Sequence, residues 1–252
     1  MLIRKIVLLC VSMFLSLTAI CQDFDLIFQN LPDVGAFAKY RFKNIKENGK
    51  ILEGEWTVSV TKKELIDGEE CLLIEIFPFT FKALTTKTGT LGIFLKKKTN
   101  QEERENFLLR AKKVMFAQVG KAPYEIEKSV LEMLREDSKD FKYEKVENLR
   151  EKKVVEFRDK IEREIVIYDS EITFYESDGE KQKLFGTKEM SKDVPFYLVK
   201  EEFTIQKIGK SGEIKKTTKG LVELTDFSYD GAKSAFLGKK MKKKGIWGII
   251  FD

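Results

Sequence analysis

The chain contains no histidine. That absence excludes Ser-His-Asp and Cys-His catalysis and removes the commonest zinc ligand. Cysteine is nearly absent as well. Of three residues, Cys10 lies in an apolar leader and Cys21 at its end, so cleavage after Cys21 leaves Cys71 alone with no intramolecular disulfide to form. Proline is limited to 4 residues, which permits long uninterrupted elements, and no stretch rich in proline, glycine or serine marks a domain linker. No internal repeat recurs at a fixed period. The nucleophile elbow, the phosphate-binding glycine loop and the calcium loop are missing. Charge of one sign is not in large excess: the formal balance is +5, and Arg4 and Lys5 of the leader supply two of those charges. Such a mixed surface has no strong field to gather nucleic acid.

What is present suits one globular domain. The 252 residues are 42% hydrophobic and 35% charged, enough for a sizeable core under a heavily solvated surface. Residues 1–21 have the three parts of a signal peptide. Arg4 and Lys5 form the positive region, 6–20 form the apolar stretch, and Ala19-Ile20-Cys21 places small residues where signal peptidase inspects the chain. The stretch is short and soft for a membrane span. The chain is therefore expected to be exported, periplasmic or secreted, with 22–252 as a single β-rich domain. The alternative is a lipoprotein anchored through Cys21, which Thr18 and Ala19 suit and the bulky Ile20 does not.

Along the mature chain, Phe24, Ile27, Phe28 and Leu31 at helical spacing predict a short amphipathic helix over 22–31, stopped by Pro32. The period then changes to two. Strands are expected over 37–42, 51–62 and 71–81, with turns at Asn48-Gly49 and Asp67-Gly68. A strand over 89–97 and a polar loop or helical turn over 100–106 follow. The run 107–119 is ambiguous between strand and helix, and 124–135 reads as an amphipathic helix. Strands return at 142–148, 152–158, 161–168, 171–177, 180–187, 194–208 and 213–229. The sum is about ten strands and two or three helices, an α+β fold that is mainly antiparallel β.

Four features invite a functional reading. Tyr40, Phe42, Trp56, Val58, Phe196 and Phe203 are candidates to line a greasy pocket; each alone is ordinary core, and together they matter if the sheet bends enough to leave a hollow. Cys71 alternates with Leu73 opposite Leu72, Ile74 and Ile76 and is expected to be a buried structural thiol. The acidic groups Glu69-Glu70 and Glu102-Glu103 with Glu105 read as a turn and a solvated face rather than a metal site. Ser59-Val-Thr-Lys62 and Lys87-Thr-Gly89 mimic fragments of penicillin-recognising enzymes, but they lie too close together and Ser59 sits in mid-strand. The end of the chain gathers Lys239, Lys240, Lys242, Lys243 and Lys244 before the apolar GIWGIIF. A loop and final strand closing the sheet is the structural reading of Lys239 to Phe251; contact with an anionic membrane surface is the functional one.

The segments VGAFAKYRF (34–42), CLLIEI (71–76) after the Asp67-Gly68 turn, KKVMFAQVGKAPYEI (112–126), KDVPFYLVK (192–200) and VELTDFSYDGAKSAF (222–236), in this order, resemble a loosely defined group of uncharacterised exported bacterial proteins. The group is associated with the fold of the periplasmic lipoprotein carriers (LolA/LolB-like). The resemblance implies a strongly curved antiparallel half-barrel whose helices pack on the concave side. It transfers no functional residues, and Phe37 stands where tryptophan is more usual. The resulting expectation is a non-enzymatic protein without cofactor that binds or carries a lipid or acyl chain in the cell envelope. A structural or interaction subunit of an envelope assembly is the alternative.

Overall fold

The computed structural model describes residues 24–80, 88–97, 107–139, 142–157, 159–175 and 179–245. The leader, the polar run 100–106, Lys87 and the apolar end 246–252 lie outside these. In chain order the elements are helix α1 (Phe24–Gln29), strands β1 (Phe37–Lys46), β2 (Ile51–Ile66), β3 (Glu69–Thr80) and β4 (Thr88–Lys96), and helix α2 (Phe107–Arg110). Strands β5 (Ala111–Gln118) and β6 (Tyr124–Ile126), helix α3 (Lys128–Lys139), and strands β7 (Lys142–Glu156), β8 (Glu162–Tyr175), β9 (Lys181–Met190), β10 (Leu198–Ile208), β11 (Ile214–Ser228) and β12 (Lys242–Lys244) complete it.

All twelve strands join one open sheet in the order β12-β6-β5-β4-β3-β2-β1-β11-β10-β9-β8-β7. Two antiparallel meanders, β1 to β6 and β7 to β11, are sewn together where β1 pairs with β11. Among the described residues the single parallel contact is β12 against β6. The fold is thus mainly β with small helical additions, and it has more strands than the ten expected. The turns follow their residues: Asp67 and Gly68 both take positive φ, 52° and 76°, which the tight two-residue hairpin turn requires.

Two strands expected in each of the regions 142–158 and 161–177 are one long strand each. In β7 the register shifts between Leu149 and Glu151, a bulge that breaks the alternation without ending the strand. In β8 the covered face changes midway: Arg163, Ile165 and Ile167 are buried on one side, then Ser170 and Ile172 on the other. Strand β10 starts at Leu198, later than expected, because Pro195 cannot donate to a ladder and Phe196 and Tyr197 take φ of 62° and 63°. The expected helix over 124–135 begins instead as β6, whose Tyr124 and Ile126 the sheet recruits, and turns helical from Lys128. The ambiguous run 107–119 resolves into one turn of helix and then β5.

Strand β2 is divided between two partners. Its first part pairs with β1 through Ile51 to Ser59, and its second with β3 through Thr57 to Ile66. Only Thr57, Val58 and Ser59 serve both neighbours, and a bulge lies between Val60 and Lys62. Such stagger and bulging make a sheet twist and coil.

Strands β3 to β5 are apolar on both faces, and the six consecutive residues Cys71 to Ile76 are all buried. The inner face carries the main core, to which α1 adds Ile27 and Phe28 and α3 adds Leu131. Arg110 ties α1 to the sheet by donating to the carbonyls of Phe28 at 2.7 Å and Lys96 at 3.2 Å. The outer face holds a second core of Ile66, Cys71, Leu73, Phe94, Met115 and Ala117, closed by Phe236 from the arm that follows β11. Sequence reading missed this cover. Glu75 grips the arm: its carboxylate accepts from Ser234 Oγ at 2.5 Å and from the Ala235 N–H at 2.8 Å, and also from Thr61 Oγ1 at 2.5 Å. Beside it, Gly92 forms the socket for Phe236, since a Cβ there would lie 2.6 Å from the ring.

This clasp yields a stability prediction. Phe236→Ala is expected to cost about 3 kcal/mol in urea unfolding, and Gly92→Ala about 1–3 kcal/mol by overpacking the socket. In the Phe236→Ala background the Gly92→Ala cost should largely vanish, a coupling that a double-mutant cycle reads directly.

Candidate functional site

The inner face of the sheet brings all six sequence-predicted lining residues into one apolar layer. Tyr40 and Trp56 are register partners across β1 and β2 and stack with ring centroids 4.7 Å apart. The Tyr40 hydroxyl donates to the Leu198 carbonyl at 3.2 Å, bracing β1 against the start of β10. Val58 lies one pair further along, opposite Ala38. Phe42 covers Gly54 and Phe203 covers Gly220, and in both cases an added Cβ would collide with the ring, at 2.9 Å and 2.0 Å. These glycines let large rings lie flat on the sheet. Phe196 reaches the layer from the loop 191–197 rather than from a strand, and its left-handed backbone costs about 1–2 kcal/mol.

Five of the six are buried core; Phe42 alone is half-buried. The layer's incompletely covered part continues from Phe42 to residues that sequence reading did not single out: Met190, Leu224, Phe174 and Tyr143, all half-buried against the same core. Their alternation within β7, β8, β9 and β11 was the available signal.

Two charged residues are buried in this layer. Lys188 and Glu201, each 1% exposed, are register partners on β9 and β10, and Lys188 Nζ reaches Glu147 at 3.3 Å. Buried charges persist only when paired, and this contact joins β9 to β7 beneath apolar side chains. At the end of the same strands, Arg163 of β8 forks onto Asp159 at 2.5 and 2.7 Å. It also lies over the rings of Phe157 at 4.8 Å and of Phe227, in β11, at 5.0 Å.

A separate groove of about 440 Å³ opens on the outer face across β7, β8 and β9. Its walls include Val146, Asp169, Glu171, Phe185 and Thr187, none of them among the six residues above. The acids there are already matched, Asp169 to Arg150 at 3.2 Å and Glu171 to Lys183 at 2.9 Å. Among the described residues no three His, Cys, Asp or Glu side chains gather as a metal site, and no helix is long and apolar enough to cross a membrane. Cys71 is buried and unbridged in the outer core, and its burial pushes the thiol above its ordinary range.

The acidic turn residues bind lysines. Lys112 and Lys96 on neighbouring strands hold Glu69 at a pKa of about 2, and Lys207 and Lys215 do the same for Glu180. Both carboxyls ordinarily titrate near 4.5. Because the folded values are the lower ones, their contribution to stability is complete above about pH 4.5 and is lost as the pH falls through about 2. Urea midpoints recorded down the acid limb should therefore decline less steeply in Glu69→Gln and Glu180→Gln than in the parent protein.

No family model and no curated protein matches the chain. Among solved structures, a protein assigned as a lipoprotein from Parabacteroides distasonis aligns with TM-score 0.36 and 8% identity, covering 79% of this chain and 98% of that one. A protein assigned as exported, with a YmcC-like fold, from Bacteroides fragilis aligns with TM-score 0.34 and 8% identity over 79% and 97% of the two chains. A DUF1329 family protein from Desulfovibrio piger aligns with TM-score 0.29 and 12% identity over 87% and 98%.

Proposed function

We propose that the chain is an exported, non-enzymatic envelope protein that holds a hydrophobic ligand, a lipid or an acyl chain, on the inner face of a half-barrel-like sheet. The observation that carries this reading is the apolar layer itself, which runs through β1 to β6 and β8 to β11 and is left half-covered at Phe42, Met190, Leu224 and Phe174. An acyl chain laid there gains about 0.8 kcal/mol per buried CH₂ and needs little polar recognition. Bending of the sheet is supported by the divided pairing of β2 and the bulge within it.

The second reading is an interaction subunit of an envelope assembly, and the edge strand β7 favours it. Among the described residues its 15 residues pair only with β8, and Val146, Leu149 and Val154 stand exposed along it. An open edge of this length is a template for another strand, although its lysines and glutamates discourage indiscriminate pairing.

Native mass spectrometry of protein recovered from envelope fractions separates the two. A ligand holder carries an added mass that organic extraction removes, and Phe42→Ser weakens binding of a fluorescent fatty acid about tenfold. A bare mass with no fatty-acid binding eliminates the ligand reading, and an in-cell crosslink from β7 to another protein then supports the assembly reading.

A further inference from the structure

The far edge of the sheet, at β12, concentrates positive charge in a short run of chain. Several lysines elsewhere are neutralised in clamps: Lys63 with Glu70, Lys96 and Lys112 with Glu69, Lys113 with Glu64, Lys207 and Lys215 with Glu180. Lys239, Lys240, Lys242 and Lys243 are all exposed, and none forms an ion pair with a carboxylate among the described residues. Two large apolar side chains stand exposed in the same run, Leu237 at 73% and Met241 at 42%.

Like charges this dense repel one another and favour a disordered tail, yet here the chain is fastened along its length. Glu75 and the Gly92 socket hold the arm at Ser234, Ala235 and Phe236. Beyond them, Lys242 pairs with Tyr124, Lys243 with Glu125 and Lys244 with Ile126 in the parallel ladder to β6. The Glu127 N–H donates to the Lys244 carbonyl at 3.0 Å, and Lys244 Nζ lies 4.4 Å over the Tyr124 ring. Lys244 is thereby spent on the protein, while the four lysines before it remain directed to solvent on a fixed edge.

We propose that this edge, residues 237–243, is a docking surface for an anionic lipid bilayer, with the lysines meeting headgroup phosphates and Leu237 and Met241 entering the interface between headgroups and chains. Charge complementarity selects the partner, and the two exposed apolar side chains distinguish a bilayer from a soluble polyanion, for which they have no use. The surface stands independently of whether the inner layer holds a ligand.

Sedimentation of the mature protein with vesicles tests the proposal. Binding is expected to vesicles containing phosphatidylglycerol, to be absent with pure phosphatidylcholine, and to be lost at about 1 M salt, where screening reaches about 3 Å. Each lysine contributes roughly fivefold, so the fourfold variant Lys239→Gln, Lys240→Gln, Lys242→Gln, Lys243→Gln abolishes binding. Leu237→Ser with Met241→Ser weakens it while leaving salt dependence intact. Lys96→Gln, Lys112→Gln, Lys207→Gln and Lys215→Gln together, four clamped lysines, serve as the charge-matched control and leave it unchanged. Melting curves confirm that the tail variants fold. Equal loss in the control, equal binding to both vesicle types, no binding to either, or binding to soluble polyphosphate that the Leu237 and Met241 changes do not affect and vesicles do not compete, each overturns the proposal.

Discussion

Strands β3 to β5 present apolar side chains in both directions, so the sheet has to be covered twice there. An antiparallel sheet ordinarily keeps one face wet, but Leu72, Ile74 and Ile76 point to one side while Cys71 and Leu73 point to the other, all at most 3% exposed. The inner cover is made by the three short helices and the neighbouring strands, with Arg110 bridging α1 to the end of β4. The outer cover is a piece of chain from beyond β11, carried there by the meander that brings β11 beside β1. Covering this half completely leaves the other half different. Strands β7 and β11 are exposed along much of their length, and the half-covered apolar residues of the inner layer fall mainly on β8, β9, β11 and β1.

The sheet was legible where local chemistry and global position agreed. Asn48-Gly49 and Asp67-Gly68 turn where their backbone freedom allows, and Cys71 faces away from Ile74 as strict alternation requires. Reading failed where tertiary contacts change which face is covered. Ile167 and Ile172 lie five apart on opposite faces of the same strand, so the burial pattern breaks its period of two although the ladder continues. Tyr124 and Ile126 carry a helical pattern in sequence, yet edge pairing with β12 claims them first. The six candidate residues were legible as parts of one apolar layer because each faces inward on a strand or loop; the arm that seals the outer face was not, since Phe236 becomes core only through a socket at Gly92, over a hundred residues earlier.

Charge follows the same division. Many of the lysines and glutamates are paired across strands, and exposed pairs of this kind contribute little to stability individually. Their value is to keep long, highly charged strands such as β7 in register without a strong net field. Inside, the buried Lys188 reaches Glu147 and joins β9 to β7 under an apolar layer. Outside, the lysines around β12 concentrate positive charge at one edge of the sheet.

The most direct measurement is a methyl-resolved NMR titration of the mature protein with a long-chain fatty acid, reading contacts between acyl protons and individual side chains. Cross-peaks to Met190, Leu224 and Leu198, with none to Leu149 or Val154 on the outer edge, are the expected result. Contacts spread over the exposed edge residues, or none at all at saturating fatty acid, would contradict an inner layer built to hold a hydrophobic chain.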